Sequence, residues 1–268
     1  MEVMYRAYQE QDREAVWKLL EQAHLTHGTL TYCMRHFPQY GLVALEGQEI
    51  VGCGFRAAAN ENGRASCGVY VCPVYRRKRI GTTLLWRLQE AMKEEGIQKL
   101  ASMYELGTEG ELFAKAKGLE PVHMVRYMSY EGEALEVQKG EFAPYQDEYY
   151  EEIHALLNEA FAEKRESNEE ERAHYREAQQ DIFVCREEGA IVAVAFLQDN
   201  EIRRLAVRAD KQGQGWGRAM LSFSVNTLQQ RGYEKCYLWV MVGNQAIRAY
   251  HNMKWVVEGT YAFASKNI

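Results

Sequence analysis

The residues with the clearest chemical meaning in this chain form a glycine-rich run directly after a β-rich segment. The segment ends at Val207, and a helical pattern takes over near the end of the run. Glycine permits positive φ angles and lets the backbone approach a ligand closely. The first N–H groups of a helix have no partner inside it, and the helix dipole adds positive charge there. The run therefore predicts a loop that binds pyrophosphate. Its residues are Gln212, Gly213, Gln214, Gly215, Trp216, Gly217 and Arg218.

The spacing of this run distinguishes it from two other phosphate-binding loops. It lacks the G-x-x-x-x-G-K-[ST] pattern of nucleoside-triphosphate loops and the G-x-G-x-x-G pattern of dinucleotide folds. It reads Gln-x-x-Gly-x-Gly from Gln212 to Gly217. The structural alternative is a solvent-exposed glycine turn that precedes a helix.

Three other polar residues flank or follow the run. Asn244 and Tyr250 come after the next β-rich segment, and a phenol can donate a proton. Taken alone, Tyr250 is better explained as a packed core tyrosine. Glu201 starts the strand before the glycine run and is a candidate general base, although a solvated carboxylate is the simpler interpretation.

The chain repeats itself, so these residues belong to the second of two similar halves. Residues 71–85 match residues 207–221 at an offset of 136 (207 − 71), and two further landmarks recur in the same order. We therefore predict two homologous domains, at 1–135 and 136–268. A polar segment near Gly132–Glu141 joins them.

The elements that must position these residues follow one pattern in both halves. Hydrophobic periodicity predicts a mixed, mostly antiparallel twisted sheet flanked by helices, which is an α+β fold. Glycines 96 and 232 are expected to end the two long helices. The predicted helices are Gln146–Ala162, Ser167–Gln180, Arg218–Arg231 and Gln245–Met253, with Gly81–Glu95 in the first half. The predicted strands are Ile182–Arg186, Ala190–Leu197, Glu201–Val207, Lys235–Val240 and Val256–Ala264, with Leu42–Glu46, Glu49–Ala59, Ala65–Val71 and Lys99–Tyr104 in the first half.

The glycine-rich run and the later Asn–Tyr pair together resemble the GNAT N-acetyltransferase superfamily, whose acyl-CoA loop reads Q/R-x-x-G-x-G/A. The resemblance covers nearly the whole chain, as two tandem copies. Lys254 and Trp255 replace the Gly-Phe that usually ends the second motif. The resemblance implies acetyl-CoA as cosubstrate, held in a V between two neighbouring strands, and direct transfer of the acetyl group to a primary amine.

The resemblance also implies a role for each candidate residue in the second copy. The loop 212–218 holds the pyrophosphate through its backbone N–H groups, and Asn244 contacts the pantetheine arm. Tyr250 is the general acid that reprotonates the leaving thiolate. Glu201 is the candidate base for the amine, and a strand N–H stabilises the oxyanion. Main-chain contacts to the pantetheine and the thioester are implied for Leu205, Ala206 and Val207.

The first copy departs from the family pattern. Arg76 and Gly81 fit the loop, but Arg79 stands at the middle glycine, and the Asn and Tyr positions hold Thr108 and Ala114. A side chain at Arg79 is expected to block the approach of a ligand or to change the loop, although the basic run attracts phosphate. We predict a degenerate first domain and a catalytic second domain. Binding of CoA without turnover in the first domain stays open.

Composition sets the broad class of the protein. The chain has 268 residues, of which 47% are hydrophobic and 26% charged, as in globular proteins. A net charge of −6 argues against a broad nucleic-acid surface. The sequence contains no signal-like or membrane-spanning segment, so we expect a cytoplasmic protein with no membrane partner. The expected partner is a small-molecule amine, and the expected assembly is a monomer or homodimer.

No metal is predicted. His24, His27, Cys33 and His36 lie close together in the sequence, but structural zinc sites usually separate their ligand pairs more widely. The cysteines are expected to be reduced core thiols. They are Cys33, Cys53, Cys67, Cys72, Cys185 and Cys236.

Two functional alternatives remain at the level of sequence. One is a non-catalytic acyl-CoA-binding or interaction protein, and the other is an enzyme that acetylates a protein amine. The sequence does not separate them from a small-molecule N-acetyltransferase, because acceptor sites lie in variable helices and loops.

Overall fold

The computed structural model describes residues 3–25, 28–162 and 166–268. The strands are β1 (Val3–Ala7), β2 (Gly41–Glu46), β3 (Glu49–Arg56), β4 (Arg64–Val71), β5 (Lys99–Glu105), β6 (Glu120–Tyr130), β7 (Glu141–Pro144), β8 (Ile182–Glu187), β9 (Ala190–Gln198), β10 (Glu201–Val207), β11 (Cys236–Met241) and β12 (Val256–Asn267). The helices are α1 (Arg13–Gln22), α2 (Thr29–His36), α3 (Ile80–Glu94), α4 (Glu109–Ala116), α5 (Tyr150–Phe161), α6 (Glu169–Glu177), α7 (Trp216–Gln230) and α8 (Ala246–Asn252).

The predicted helices and strands are all present, and most differ from the prediction only at their ends. The helix predicted from Gln146 begins instead as a 3-10 turn at Asp147–Tyr149 and continues as α5. Strand β7 starts at Glu141, where the sequence indicated only a polar segment, because its four residues pair with β8 and form the edge of the sheet. A four-residue edge strand carries too little periodicity to be recognised from sequence.

Glycines end the long helices as predicted. Gly232 has φ of 91° directly after α7, and Gly96 has φ of 74° after α3. The turn between β8 and β9 also follows its sequence, with Glu188 and Gly189 both at positive φ (51° and 86°). The β8–β9 turn fixes the antiparallel register of that hairpin.

The first compact unit consists of residues 3–125 with residues 260–268. Its strands follow the order β1-β2-β3-β4-β5-β12-β6. Strands β4 and β5 run parallel, and the pairs β1–β2, β2–β3, β3–β4 and β5–β12 run antiparallel. Helix α3 packs on β2, β3 and β4. The last strand of the chain supplies Ala262 and Ala264, both fully buried, to the core that also contains Leu100.

The second compact unit consists of residues 126–259. Its strands follow the order β12-β6-β11-β10-β9-β8-β7, with β10 and β11 parallel. Helix α7 and helix α5 both contact β9 and β10. Ala206 packs in the α5 cluster, and its neighbour Leu205 packs against the α7 cluster that contains Leu221 and Val225. Since successive strand residues face opposite sides, the two helices cover opposite faces of this sheet.

The two compact units do not coincide with the two sequence copies. The first copy's last strand, β6, enters the second unit from Arg126 onward, and β12 leaves it after Gly259. Each unit therefore holds strand residues from both copies. The boundary at 135/136 therefore stays a prediction about the repeat in the sequence.

Candidate functional site

The two parallel strands of the second unit part where the resemblance places the thioester. Strand β10 pairs with β9 as far as Val207, but it pairs with β11 only at Glu201 and Ile202 among the residues that the structure describes. An irregularity in the β9 register between Ile202 and Arg204 bends β10 at this point. The main-chain groups of β10 beyond Ile202 therefore face a gap, which includes the predicted positions Leu205, Ala206 and Val207.

The glycine-rich loop spans the end of β10 and the start of α7 with two left-handed residues. Gly213 has φ of 73° and Gly215 has φ of 89°, and Gly215 is the N-cap of α7. The first helical bond described runs from the Ala219 N–H to the Gly215 carbonyl, at 3.0 Å. The N–H groups of residues 216–218 precede it and are the donors that a helix start leaves for an anion.

Side chains of the loop hold this conformation from within. Gln212 Nε2 donates to the Val207 carbonyl at 3.2 Å, and Gln214 Nε2 donates to the Asp210 carbonyl at 2.9 Å. Both side-chain amides are therefore used to shape the loop. This leaves the backbone N–H groups as the part of the loop that fits a pyrophosphate.

A lysine that the sequence analysis did not select lies against the loop. Lys139 Nζ donates to the Gln214 carbonyl and lies 3.9 Å from the ring centroid of Trp216. Lys139 Cε is also the atom nearest to the position of a Cβ added at Gly215, at 3.7 Å. This ammonium adds positive charge beside the loop. Its sequence position, 75 residues before Gln214, gives no local signal of the contact.

Trp216 and Gly217 anchor the start of α7. The Trp216 side chain is 4% exposed and packs with Cys185, Val192 and Met220, so only its backbone faces the loop. A Cβ at Gly217 would lie 3.4 Å from Val207 Cγ2, which is tight contact. The helix start thus lies close against the end of β10, and glycine permits this approach.

Tyr250 lies on α8, at the edge of the core that α7 and β11 share. Its ring packs against the cluster that contains Leu238, Val240 and Trp255, and burial raises the pKa of its phenol. A phenol with a raised pKa stays protonated near neutral pH and can act as a proton donor. Asn244, in contrast, is exposed, and its Oδ1 accepts from the Ala246 N–H at 2.9 Å.

The Lys254-Trp255 departure from the family motif is accommodated without loss of the turn. Lys254 adopts φ of 65°, the left-handed conformation that Gly118 adopts at the same place in the first copy (φ 74°). The following Trp255 side chain is 2% exposed and lies in the core. The substitution therefore keeps the backbone and adds an aromatic side chain next to Tyr250, with 6.2 Å between the ring centroids.

Glu201 lies at the point where β10 and β11 part. Its side chain is 19% exposed, and Arg203 Nη1 lies 3.3 Å from its carboxylate. Burial raises the pKa of this carboxyl, while Arg203 and a hydrogen bond from Trp239 oppose the shift. A desolvated carboxylate with a raised pKa accepts a proton more readily than a solvated one.

The loop of the first unit has the same conformation, which corrects the expectation that Arg79 changes it. Arg77 and Arg79 adopt φ of 62° and 64°, matching the two left-handed glycines of the second unit. Arg76 Nε donates to the Val71 carbonyl at 3.1 Å, as Gln212 does to Val207. A Cβ at Gly81 would lie 3.4 Å from Val71 Cγ2, the same clearance as at Gly217. The packing around the loop outweighs the steric preference of arginine.

The first unit differs from the second at the other end of its site. Ala114 occupies the Tyr250 position on α4 and is buried. Tyr104, on β5, packs in the same cluster as Ala114, and its hydroxyl is buried without a hydrogen-bond partner among the described residues. The first unit thus carries a buried phenol on a strand, where the second carries a half-buried phenol on a helix.

The residues weighed for a zinc site do not form one in the described part of the chain. Cys33 is fully buried, its thiol lies 3.6 Å from the Ser66 carbonyl, and burial raises its pKa to about 12. His36 is exposed and contacts Tyr32, and His27 lies outside the described residues. No group of three or more potential ligands occurs among the residues described. All six cysteines are free thiols, as expected, and five of them are buried.

Among the helices described, none combines the length and the apolar character that crossing a membrane requires.

Comparison with known proteins identifies the family. The model of the acetyltransferase (GNAT) family matches residues 2–108 and 147–255. A search of curated proteins gave no match.

Three solved structures have a similar fold over 99% of this chain. A GCN5-related N-acetyltransferase from Sphaerobacter thermophilus is 17% identical, with a TM-score of 0.81 and 95% of that chain covered. A tandem GNAT protein from the clavulanic acid biosynthesis pathway is 14% identical, with a TM-score of 0.75 and 98% covered. A putative acetyltransferase from Pyrococcus horikoshii is 14% identical, with a TM-score of 0.65 and 89% covered. Such low identities speak for the fold alone, and the family match to both halves leads to one conclusion: the chain belongs to the GNAT acetyltransferase family and carries two GNAT domains in tandem.

Proposed function

We propose that the second unit is an acetyl-CoA-dependent N-acetyltransferase that acts on a primary amine. The observation that carries the proposal is the combination, in this unit alone, of a glycine loop, a half-buried phenol on α8 and a half-buried carboxylate at the parting of β10 and β11. The first unit has the loop but holds Ala114 at the position of Tyr250 and, in the register of the strand pairs, Ser66 at the position of Glu201.

Each residue of the second unit has a separate task in this proposal. Acetyl-CoA supplies an activated acyl group, and the N–H groups of residues 213–218 bind its pyrophosphate with Lys139 nearby. A free N–H on the edge of β10 donates to the carbonyl oxygen as it gains charge. Glu201 accepts a proton from the amine, directly or through water. Tyr250 donates its phenolic proton to the thiolate that leaves.

The test compares matched substitutions in the two loops. Gly215→Glu places a negative side chain at the loop of the second unit, and Arg79→Glu places one at the equivalent position of the first. We expect Gly215→Glu to abolish release of free CoA from acetyl-CoA in the presence of a panel of primary amines, and Arg79→Glu to retain it. Circular dichroism of both variants checks that they are folded. Retained turnover in Gly215→Glu would contradict the proposal.

A second function is favoured by the loop of the first unit. Its backbone conformation and its three arginines suit an anion, while its Ala114 provides no proton donor. We infer that the first unit binds an acyl-CoA without turning it over. Calorimetric titration of acetyl-CoA is expected to give two equivalents in the wild type and one in Arg79→Glu. One equivalent in the wild type, lost with Gly215→Glu, would contradict this second function and leave the first proposal intact.

A further inference from the structure

Glu201 lies beside a group of three aromatic side chains in the second unit, and together with it they form what we term the aromatic–carboxylate cluster. Tyr127 stacks on Tyr237 with 4.9 Å between ring centroids and an interplanar angle of 4°. It also contacts Trp239, at 4.5 Å. Trp239 hydrogen-bonds to Glu201, and Tyr237 is the Cα partner of Glu201 in the β10–β11 pair. The four side chains are therefore one contiguous group.

The cluster lies on the sheet face opposite α7. Along β11, Cys236, Leu238 and Val240 are buried in the α7 core, so the alternating residues Tyr237 and Trp239 face the other way. Glu201 likewise alternates with Ile202, and Tyr127 with Met128, both of which are in that core. The loop and α8 belong to the α7 side. A group bound at the cluster would thus reach the parting of β10 and β11 from the side opposite the loop.

The GNAT fold itself does not require this cluster. The first unit has the same parted strands, but in the register of its strand pair it holds Ser66, Ala101 and Met103 instead, none of which is charged or aromatic. Tyr237 and Trp239 are only half-buried, and a carboxylate placed among them loses hydration without gaining packing. Only one of the two similar units carries this cost in stability, which indicates that the cluster has a function.

We propose that the aromatic–carboxylate cluster binds the ammonium group of the acceptor and selects amines in which that ammonium adjoins an apolar carbon chain. This inference rests on the proposed function and adds its substrate class. A carboxylate has about four lone-pair sites, and Arg203 and Trp239 use only part of them. Aromatic faces and edges beside the carboxylate attract a cation and cover adjoining methylene groups.

Arg203 shows how a cation reaches the carboxylate. Its side chain is 54% exposed, and its guanidinium lies 3.3 Å from Glu201. A positive group can therefore approach Glu201 from solvent. Because Glu201 is largely shielded from water, its attraction for a cation is stronger than that of an exposed carboxylate.

The test uses a probe pair that shares one alkyl chain and carries either a charged or an uncharged head group. Butylamine is almost fully protonated at pH 7, since alkylammonium pKa values resemble that of lysine, and 1-butanol is its uncharged counterpart. Both are titrated into the ¹⁵N-labelled full-length protein, and the indole N–H signals of its five tryptophans are followed. The signal of Trp239 is identified by its absence in Trp239→Leu. We expect that signal to shift saturably with butylammonium and to remain unchanged with 1-butanol.

Variants then assign the binding to the cluster. Glu201→Gln keeps the shape of the side chain, and we expect it to raise the half-saturating concentration of butylammonium about ten-fold. Met103→Leu, at the equivalent of Trp239 in the first unit, is expected to leave it unchanged. Equal responses to the amine and the alcohol, or no effect of Glu201→Gln, would overturn the inference. Acetyl-CoA is titrated separately, so loss of its binding alone would sink the proposed function and not the cation site.

Discussion

Tyrosine and phenylalanine differ by one hydroxyl, so a substitution at Tyr250 is the most direct test of the proposed general acid. The ring lies at the edge of a packed core, so Tyr250→Phe preserves the shape of the site. We expect the turnover number to fall about 100-fold or more, the range of general acid catalysis, with the KM for acetyl-CoA unchanged. The measurement is release of free CoA at saturating acetyl-CoA. Full turnover at every pH tested would show that Tyr250 is not the acid.

The raised pKa of Glu201 predicts how the rate depends on pH in the acidic range, the acidic limb of the pH profile. Burial raises its pKa, and the carboxylate form is needed to accept the proton of the amine. The rate is therefore expected to fall as the pH drops through a pKa above the usual glutamate value. Arg203 and Trp239 act in the opposite direction, so Arg203→Gln is expected to move the limb to higher pH. The check is kcat/KM as a function of pH for both proteins, and an unmoved limb would assign it to another group.

The sequence predicts those candidate site residues that follow a local spacing. Gln212 and Tyr250 were recognisable because the motif fixes their distance from neighbouring residues. Lys139 and Trp239 were not, because only the folded sheet brings them next to the loop and next to Glu201. Their roles depend on contacts between strands, which no spacing along the chain encodes.

At the scale of the element, the residue at the left-handed position can be exchanged between the two loops. Both loops need a left-handed residue before the long helix, and the second unit uses Gly215 where the first uses Arg79. Gly215→Arg is expected to lower the free energy of unfolding by about 1 kcal/mol, the cost of a side chain in this conformation. Arg79→Gly is expected to raise it by less, because glycine also loosens the unfolded chain.

Urea denaturation followed by circular dichroism measures both changes. Opposite signs would show that the left-handed position, and not the side chain, carries the cost. If both substitutions destabilised the protein, the arginine would be making contacts that stabilise the first loop. The sequence predicted correctly that Arg79 stands at the position of Gly215, but it predicted the conformation of the first loop wrongly. A glycine indicates a left-handed turn, whereas the absence of a glycine does not exclude one.

At the scale of the whole molecule, residues 260–268 provide the sharpest prediction. This segment pairs with β5 over Tyr261–Asn267 and buries Ala262 and Ala264. Its removal is expected to destabilise the first unit by about 3 kcal/mol or more, since each lost hydrogen bond contributes roughly 0.5–1.5 kcal/mol. Hydrogen exchange should become faster in β5 and at the N–H of Leu106, which directly follows β5 and donates to the Thr260 carbonyl.

Strands β8 and β9 serve as the internal control for this deletion, because they lie within the second unit and are expected to keep their protection. Unchanged exchange in β5 would mean that the segment is not part of the first unit. The repeat of the sequence predicts two copies but not this exchange of strand ends. Matching residues identify which strands are equivalent, and contacts alone decide where each strand packs.

The exchanged strand also constrains the order in which the protein acquires its structure during synthesis. A ribosome makes the chain from its N-terminus, and domains generally fold as they emerge. The first unit cannot do so completely, because β5 pairs with β4 on one side but lacks its second partner, β12, until residues 126–259 and the segment after them have been translated. Until then, one edge of β5 and the apolar surface around Leu100 are open to solvent and to other nascent chains. The domain made first is therefore finished last, and a stalled ribosome would leave it incomplete however long it had to fold.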